Sequence, residues 1–116
     1  MLLVRTKIGP SKIHGYGLFA DQNIPKGTIV WKFNPVIDHK IRPEKIGSLL
    51  KHVQDHVYTY AYFDRGNYIL CGDFAIFINH SKISNLDSRG EVGVATRSIK
   101  KGEEITDNYH HYGEKI

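Results

Sequence analysis

Cysteine is almost absent from this sequence: Cys71 stands alone among 116 residues. That excludes an internal disulfide and a cysteine-rich zinc site. Long apolar runs are missing as well, so no stretch is long enough to span a bilayer. The opening Met1-Leu2-Leu3-Val4-Arg5-Thr6 lacks the layout of a secretory signal, and an intracellular setting is expected. No block of Lys or Arg stands out, although the formal charge is +4 and the pI is near 9.2. Direct nucleic-acid binding is therefore not expected. What is present, 41% hydrophobic and 24% charged residues, describes a globular chain with a modest core. One domain over residues 1–116 is expected.

One stretch organises the rest. Phe77-Ile78-Asn79-His80-Ser81 runs two large apolar residues into an amide, an imidazole and a hydroxyl, and Asn85 closes it. Apolar residues anchor backbone in a core, and the polar trio must then find partners there.

In chain order, Leu2 to Ile8 reads as a strand ended by Gly9-Pro10-Ser11. His14-Gly15-Tyr16-Gly17 places two glycines around an aromatic, which lets backbone approach a ligand closely. No helix follows, so it is not a dinucleotide fingerprint. Thr28 to Phe33 reads as a second strand. Pro43 opens the one convincing helix, with Ile46, Leu49, Leu50, Val53 and Val57 forming a single apolar stripe. Tyr58-Thr59-Tyr60-Ala61-Tyr62 alternates with period two, which predicts three tyrosines on one face of a strand. A hairpin through Asp64-Arg65-Gly66-Asn67 leads into Tyr68-Ile69-Leu70. Val92 to Thr96 and Glu104 to Thr106 complete the strands, with a polar loop from Lys82 to Gly90. The spacing of Ala20, Ile24, Lys26, Gly27 and Val30 recurs in Ala95, Ile99, Lys101, Gly102 and Ile105. Two ordinary hairpins explain this, and so does a pseudo-symmetric β fold.

No metal site is expected. His52 and His56 sit one turn apart without a third ligand nearby, and the adjacent pair His110-His111 points to opposite sides of an extended chain.

Taken together, His14 to Ala20, Gly72 to Ser81 with Asn85, and Gly102-Glu103-Glu104-Ile105-Thr106-Asp107-Asn108-Tyr109 resemble, in order and spacing, the three sequence elements of the SET domain of protein-lysine methyltransferases. The resemblance implies a mostly β (α+β) fold of small sheets with one main helix and a threaded C-terminal segment. It implies a minimal stand-alone SET protein of the bacterial or viral type. The implied activity is transfer of a methyl group from S-adenosyl-L-methionine to a lysine of a protein or peptide, leaving S-adenosyl-L-homocysteine. His14, Gly15, Tyr16, Gly17, Tyr58, Asn79, His80 and Tyr109 would hold the cofactor. Tyr109 matches the family's catalytic tyrosine. Tyr58, Tyr60, Asp107 and Tyr112 would line the substrate channel. Asp107 stands where many members carry the Phe or Tyr that influences how many methyls are added, so that rule does not apply here.

The alternatives are a SET-like module that has lost catalysis and a small β domain with an unrelated ligand. Because only His110 to Lys115 follow Tyr109 before Ile116, the channel would need a further wall. A homodimer is expected to supply it, with Trp31, Val57 or Tyr68 as donors.

Overall fold

The structure is a computed structural model that describes residues 1–89 and 92–108. The strands and helices run β1 Thr6–Pro10, β2 Tyr16–Ala20, β3 Ile29–Lys32, β4 His39–Ile41, α1 Pro43–Ile46, α2 Lys51–Tyr60, β5 Tyr62–Asp64 and β6 Asn67–Leu70. A 3₁₀ turn, Phe74–Phe77, follows, and then β7 Asn79–His80, β8 Leu86–Asp87, β9 Val92–Ala95 and β10 Glu104–Asp107. They form three small sheets, ordered β1-β2-β10-β7, β3-β9-β8 and β4-β6-β5. The fold is mostly β, as expected. The segment expected to thread, beyond Asn108, lies outside the described residues.

The repeated spacing is a real two-fold relationship. Ile24 and Ile99 exchange backbone hydrogen bonds at 2.8 Å in both directions. Gly27 N donates to Ala95 O, and Gly102 N donates to Ala20 O, each at 2.8 Å. Gly27 and Gly102 have φ of 87° and 94°, a conformation that glycine alone adopts freely. Ala20, Ile24 and Val30 share one core cluster with Ala95, Ile99 and Ile105, together with Leu18 and Leu86. The two hairpins therefore clasp each other across the main core, and the second of them delivers β10 to the middle of its sheet.

The helical segment departs from expectation. Pro43 does open α1, but the helix stops after one turn. Gly47 and Ser48 are weak helix formers, Ser48 Oγ donates back to Lys45 O at 2.7 Å, and Leu50 is extended at ψ 150°. The single stripe is thereby split: Ile46 and Val57 are buried, while Leu50 is 70% exposed. The chain resumes as α2 through Tyr60, so the predicted strand Tyr58–Tyr62 is corrected to a helix end followed by β5. Val57 and Ala61, four residues apart, both pack into the second core with Ile46 and Tyr68. His56 also meets Tyr60 at 5.0 Å. Those helical pairs outweigh the two-residue alternation of the tyrosines.

The first strand is shorter than expected. Leu2 makes only an isolated bridge to Trp31, and β1 begins at Thr6. The polar loop from Lys82 likewise contains β8. Trp31, Val57 and Tyr68, expected as donors to a partner copy, are all at least nine-tenths buried, so they are core rather than contact residues.

Candidate active site

Strand β10 distributes the site's chemistry. It pairs antiparallel with β2, Glu104 facing Phe19 and Ile105 facing Leu18, and parallel with β7, Thr106 facing Asn79 and Asp107 facing His80. Side chains alternate along it. Ile105 enters the core, whereas the Glu104 and Asp107 side chains serve two separate places.

The first is the loop before β2. Both Glu104 carboxylate oxygens accept from Ser11 Oγ, at 2.8 and 2.9 Å, and Oε2 also accepts from Asn79 Nδ2 at 2.9 Å. Asn79 Nδ2 lies 3.1 Å from both His14 O and Tyr16 O. Ser11 Oγ in turn accepts from Ile13 N, and Ser11 N donates to Gly15 O. Ser11, Asn79 and Glu104 thus hold the loop by its own carbonyls and amides. The two glycines have different causes. Gly15 has a φ of 47°. A Cβ on Gly17 would stand 2.4 Å from Glu104 Oε2, so here the missing side chain makes room for a carboxylate of the protein itself rather than for a ligand. The Tyr16 ring is 64% exposed above this loop.

The second is a cavity of about 70 Å³. Trp31, Tyr60, Tyr62, Cys71, Ser88 and Asp107 are among the residues that line it. Asp107 is 5% exposed. Its Oδ2 accepts from Ser88 Oγ at 2.6 Å and its Oδ1 from Asn108 N at 2.8 Å. Trp31 and Tyr62 meet edge to face at 6.1 Å. Burial pushes the Cys71 thiol up to about 12, helped by Asp38 and Asp73. Burial, then the charges near it, raises the Tyr62 hydroxyl well above the ordinary phenol range. Both stay protonated at neutral pH. The indole Nε1 of Trp31 is buried without an oxygen or nitrogen partner among the described residues, and it faces the weakly accepting Cys71 sulfur, an interaction that lowers the thiol slightly against its burial.

A second, larger cavity of about 430 Å³ adjoins the first, since Trp31, Tyr62 and Ser88 line both. Lys32, Lys40, Asp64 and Arg65 also face it.

Of the expected site residues, His14, Gly15, Tyr16, Gly17 and Asn79 come together at the loop, and His80 lies beside Asp107 in the strand register. Tyr60 and Asp107 share the aromatic cavity. Tyr58 does not line it; its ring packs edge-on against Tyr68 at 5.6 Å, because the helix turns it to another face. Tyr109 and Tyr112 lie outside the described residues. The stretch from Phe77 to Ser81 is half-buried rather than core. The buried polar residue is Asn85, at 1% exposure. Its side chain acts as a strand partner to β10, donating to Glu104 O and accepting from Thr106 N, both at 2.8 Å. Glu104, Trp31, Tyr62, Cys71 and Ser88 were not singled out from sequence as site residues. Glu104 sat inside a recognised element, and Tyr62 inside the tyrosine alternation.

Residues 15–110 match the model of the SET domain. Human histone-lysine N-methyltransferase 2B is 31% identical over 109 residues, 85% of this chain and 4% of that protein. The histone-lysine N-methyltransferase candidate ASHH4 of Arabidopsis thaliana is 32% identical over 108 residues, 82% of this chain and 30% of that protein. The chain therefore spans less than a third of either relative. Among solved structures, a histone methyltransferase candidate of Plasmodium falciparum superposes with a TM-score of 0.63 at 22% identity, covering 93% of this chain and 95% of that one. A chain of the Chaetomium thermophilum Polycomb Repressive Complex 2 gives 0.65 at 23% identity, covering 91% of this chain and 15% of that one.

Proposed function

Because this chain belongs to the SET domain family, we propose that it is an S-adenosylmethionine-dependent protein-lysine methyltransferase. The observation that carries the reading is the joining of two sites by β10: a loop held by Asn79 and Glu104, and an aromatic cavity ending in Asp107.

The loop fits the cofactor by its chemistry. The His14 and Tyr16 carbonyls and the Glu104 carboxylate form an acceptor-rich edge, which suits a molecule carrying an ammonium and a sulfonium. His14, Gly15, Tyr16, Gly17, Asn79 and His80 are the residues that would hold it. S-adenosylmethionine, when bound, supplies a methyl group activated on sulfur. The protein's part is alignment and field. Trp31, Tyr60 and Tyr62 offer ring faces to a lysine stem and remove its amine from water. Tyr109 is assigned the hydroxyl that orients the amine, by its match to the family element.

Tyr60 lines the cavity and is still 38% exposed. A second copy covering this wall would complete the channel, and a homodimer is part of the proposal. Sedimentation across assay concentrations tests that part: a monomer with undiminished specific activity on dilution would remove it.

Calorimetric titration with S-adenosylmethionine tests the cofactor site. Asn79→Ala is expected to weaken binding about tenfold, equivalent to about 1.4 kcal/mol. Unchanged affinity in a folded variant would count against the site.

A further inference from the structure

We propose that Asp107 is the base that takes the proton from the incoming lysine, and that Ser88 passes it outward. The inference rests on the reading of the aromatic cavity as the seat of that lysine.

A lysine side chain reaches the protein mostly as an ammonium, and an ammonium nitrogen has no lone pair to attack a methyl group. The proton leaves either to solvent before the side chain enters or to a group inside the cavity, and the second route serves at neutral pH. Four titratable groups line it among the described residues: the phenols of Tyr60 and Tyr62, the Cys71 thiol and the Asp107 carboxylate. Phenols and thiols hold their protons more tightly than carboxylates do, and burial raises Tyr62 and Cys71 further. Asp107 is the one carboxylate in the described lining. Trp31, Tyr60 and Tyr62 stand among mostly apolar side chains around it, a surrounding that draws in a cation and disfavours separated charges once it is there. In such a place an ammonium beside a carboxylate lies close to its neutral form, amine beside acid.

The step balances simply. An N–H bond of the ammonium breaks, its electron pair stays on nitrogen, and the proton goes to the Asp107 carboxylate. The neutral amine would then have the lone pair that bonds the methyl carbon, while the methyl–sulfur bond of bound S-adenosylmethionine breaks, its electron pair stays on sulfur and S-adenosylhomocysteine leaves. Ser88 supplies the way out. Its Oγ contacts Asp107 Oδ2 at 2.6 Å, and Ser88 lines the larger cavity too. A hydroxyl can accept one proton while donating another, so it can hand the charge from the smaller cavity to the larger one. Among the described residues, the other titratable groups near Asp107 include His80 beside it in register, Tyr60, Tyr62 and Cys71 in the wall, and Asp87 preceding Ser88. Beyond Ser88 stand Lys32, Lys40, Asp64 and Arg65. A cationic rim does not retain a proton that reaches it.

The test is the pH dependence of kcat at saturating lysine peptide and S-adenosylmethionine, for the wild type and Asp107→Asn. Asn keeps the shape; its oxygen can still accept from Asn108 N, and its amide nitrogen would donate to Ser88 Oγ where the carboxylate accepted. With a base in the cavity, the wild-type rate is flat around neutral pH. Asp107→Asn is expected to fall at least 100-fold at pH 7 and to climb about tenfold per pH unit above it, because the amine must then lose its proton to solvent. Parallel profiles for the two proteins, or a wild-type rate that itself climbs tenfold per unit, would overturn the inference. Ser88→Ala leaves the carboxylate in place but removes a hydrogen bond that favours its ionised form. The acid side of its profile is expected to move up by about one pH unit. An unmoved acid limb would contradict the relay.

Binding provides a readout independent of turnover. In the presence of S-adenosylhomocysteine, the wild type is expected to bind a lysine peptide more tightly than its norleucine counterpart, and Asp107→Asn to lose that preference. A wild type that prefers norleucine would refute the counter-charge. A wild type with no methyl transfer to any lysine would instead sink the methyltransferase reading, so the two failures are distinguishable.

Discussion

Glu104 Oε2 and Asn79 Nδ2 meet at 2.9 Å, joining the last strand of the fold to the loop that opens β2. Asn79 Nδ2 carries two hydrogens and faces three acceptors, so the Glu104 carboxylate decides how the amide is turned. Glu104→Gln would put an amide donor where Asn79 already donates, or turn it toward Ser11. The expected result is a folded protein whose affinity for S-adenosylmethionine falls about tenfold, read by calorimetry. Ser11→Ala should move affinity in the same direction and by less. A Gln variant that binds normally would show that the loop holds itself.

Gly17 and Gly72 separate two kinds of crowding. A Cβ at Gly17 meets the end of the Glu104 side chain at 2.4 Å, which can swing aside. A Cβ at Gly72 meets Ile37 O at 1.8 Å, and that is backbone. Gly72→Ala is therefore expected to cost about 3 kcal/mol or more in chemical denaturation. Gly17→Ala should cost less in stability and more in cofactor affinity. Equal stability losses would contradict the distinction.

Asn85 tests the scaffold beneath the site. Asn85→Ala leaves Glu104 O and Thr106 N without the partner that the structure gives them. A loss of about 3 kcal/mol is expected, since each buried group left unsatisfied costs on the order of 1–3 kcal/mol. Asn85→Asp should do no better, because a carboxylate cannot donate to the Glu104 carbonyl. Urea midpoints of the two variants check this.

Cys71 gives a pH signature. Its folded proton affinity lies above that of an unfolded thiol, near 9.0, and reaches about 12. The folded protein thus binds this proton more tightly than the unfolded chain does. Stability from this group is whole below about pH 9 and is lost as pH rises toward 12, by at most about 1.4 kcal/mol per pH unit. Cys71→Ala should flatten the decline between roughly pH 9 and 11, leaving the part due to Tyr62, which moves in the same direction. An unchanged slope would show that the thiol does not contribute.

Sequence order exposed the loop around Gly15, the Asn79 segment and the last strand, expected through Thr106 and found to reach Asp107, because each is a local run with its own turn or strand chemistry. The paired hairpins were legible too, in the matched positions of Ile24 and Ile99. What stayed hidden was partnership at long range. Glu104 meets Ser11 across 93 positions and Asn79 across 25, and nothing local marks it. Trp31 and Ser88 join the cavity from β3 and from just after β8. Tyr58 misled, since alternating tyrosines satisfy a strand pattern while Val57 and Ala61 satisfy a helical one. Burial against Tyr68 settles the matter, and it is tertiary.

The most direct measurement of the central claim is mass spectrometry of lysine-containing proteins incubated with the purified protein and S-adenosylmethionine. Methyl groups on lysine ε-amines are expected, absent without cofactor and reduced about 100-fold or more in rate by Tyr109→Phe. Cofactor binding with no methylated lysine in any protein offered would contradict it.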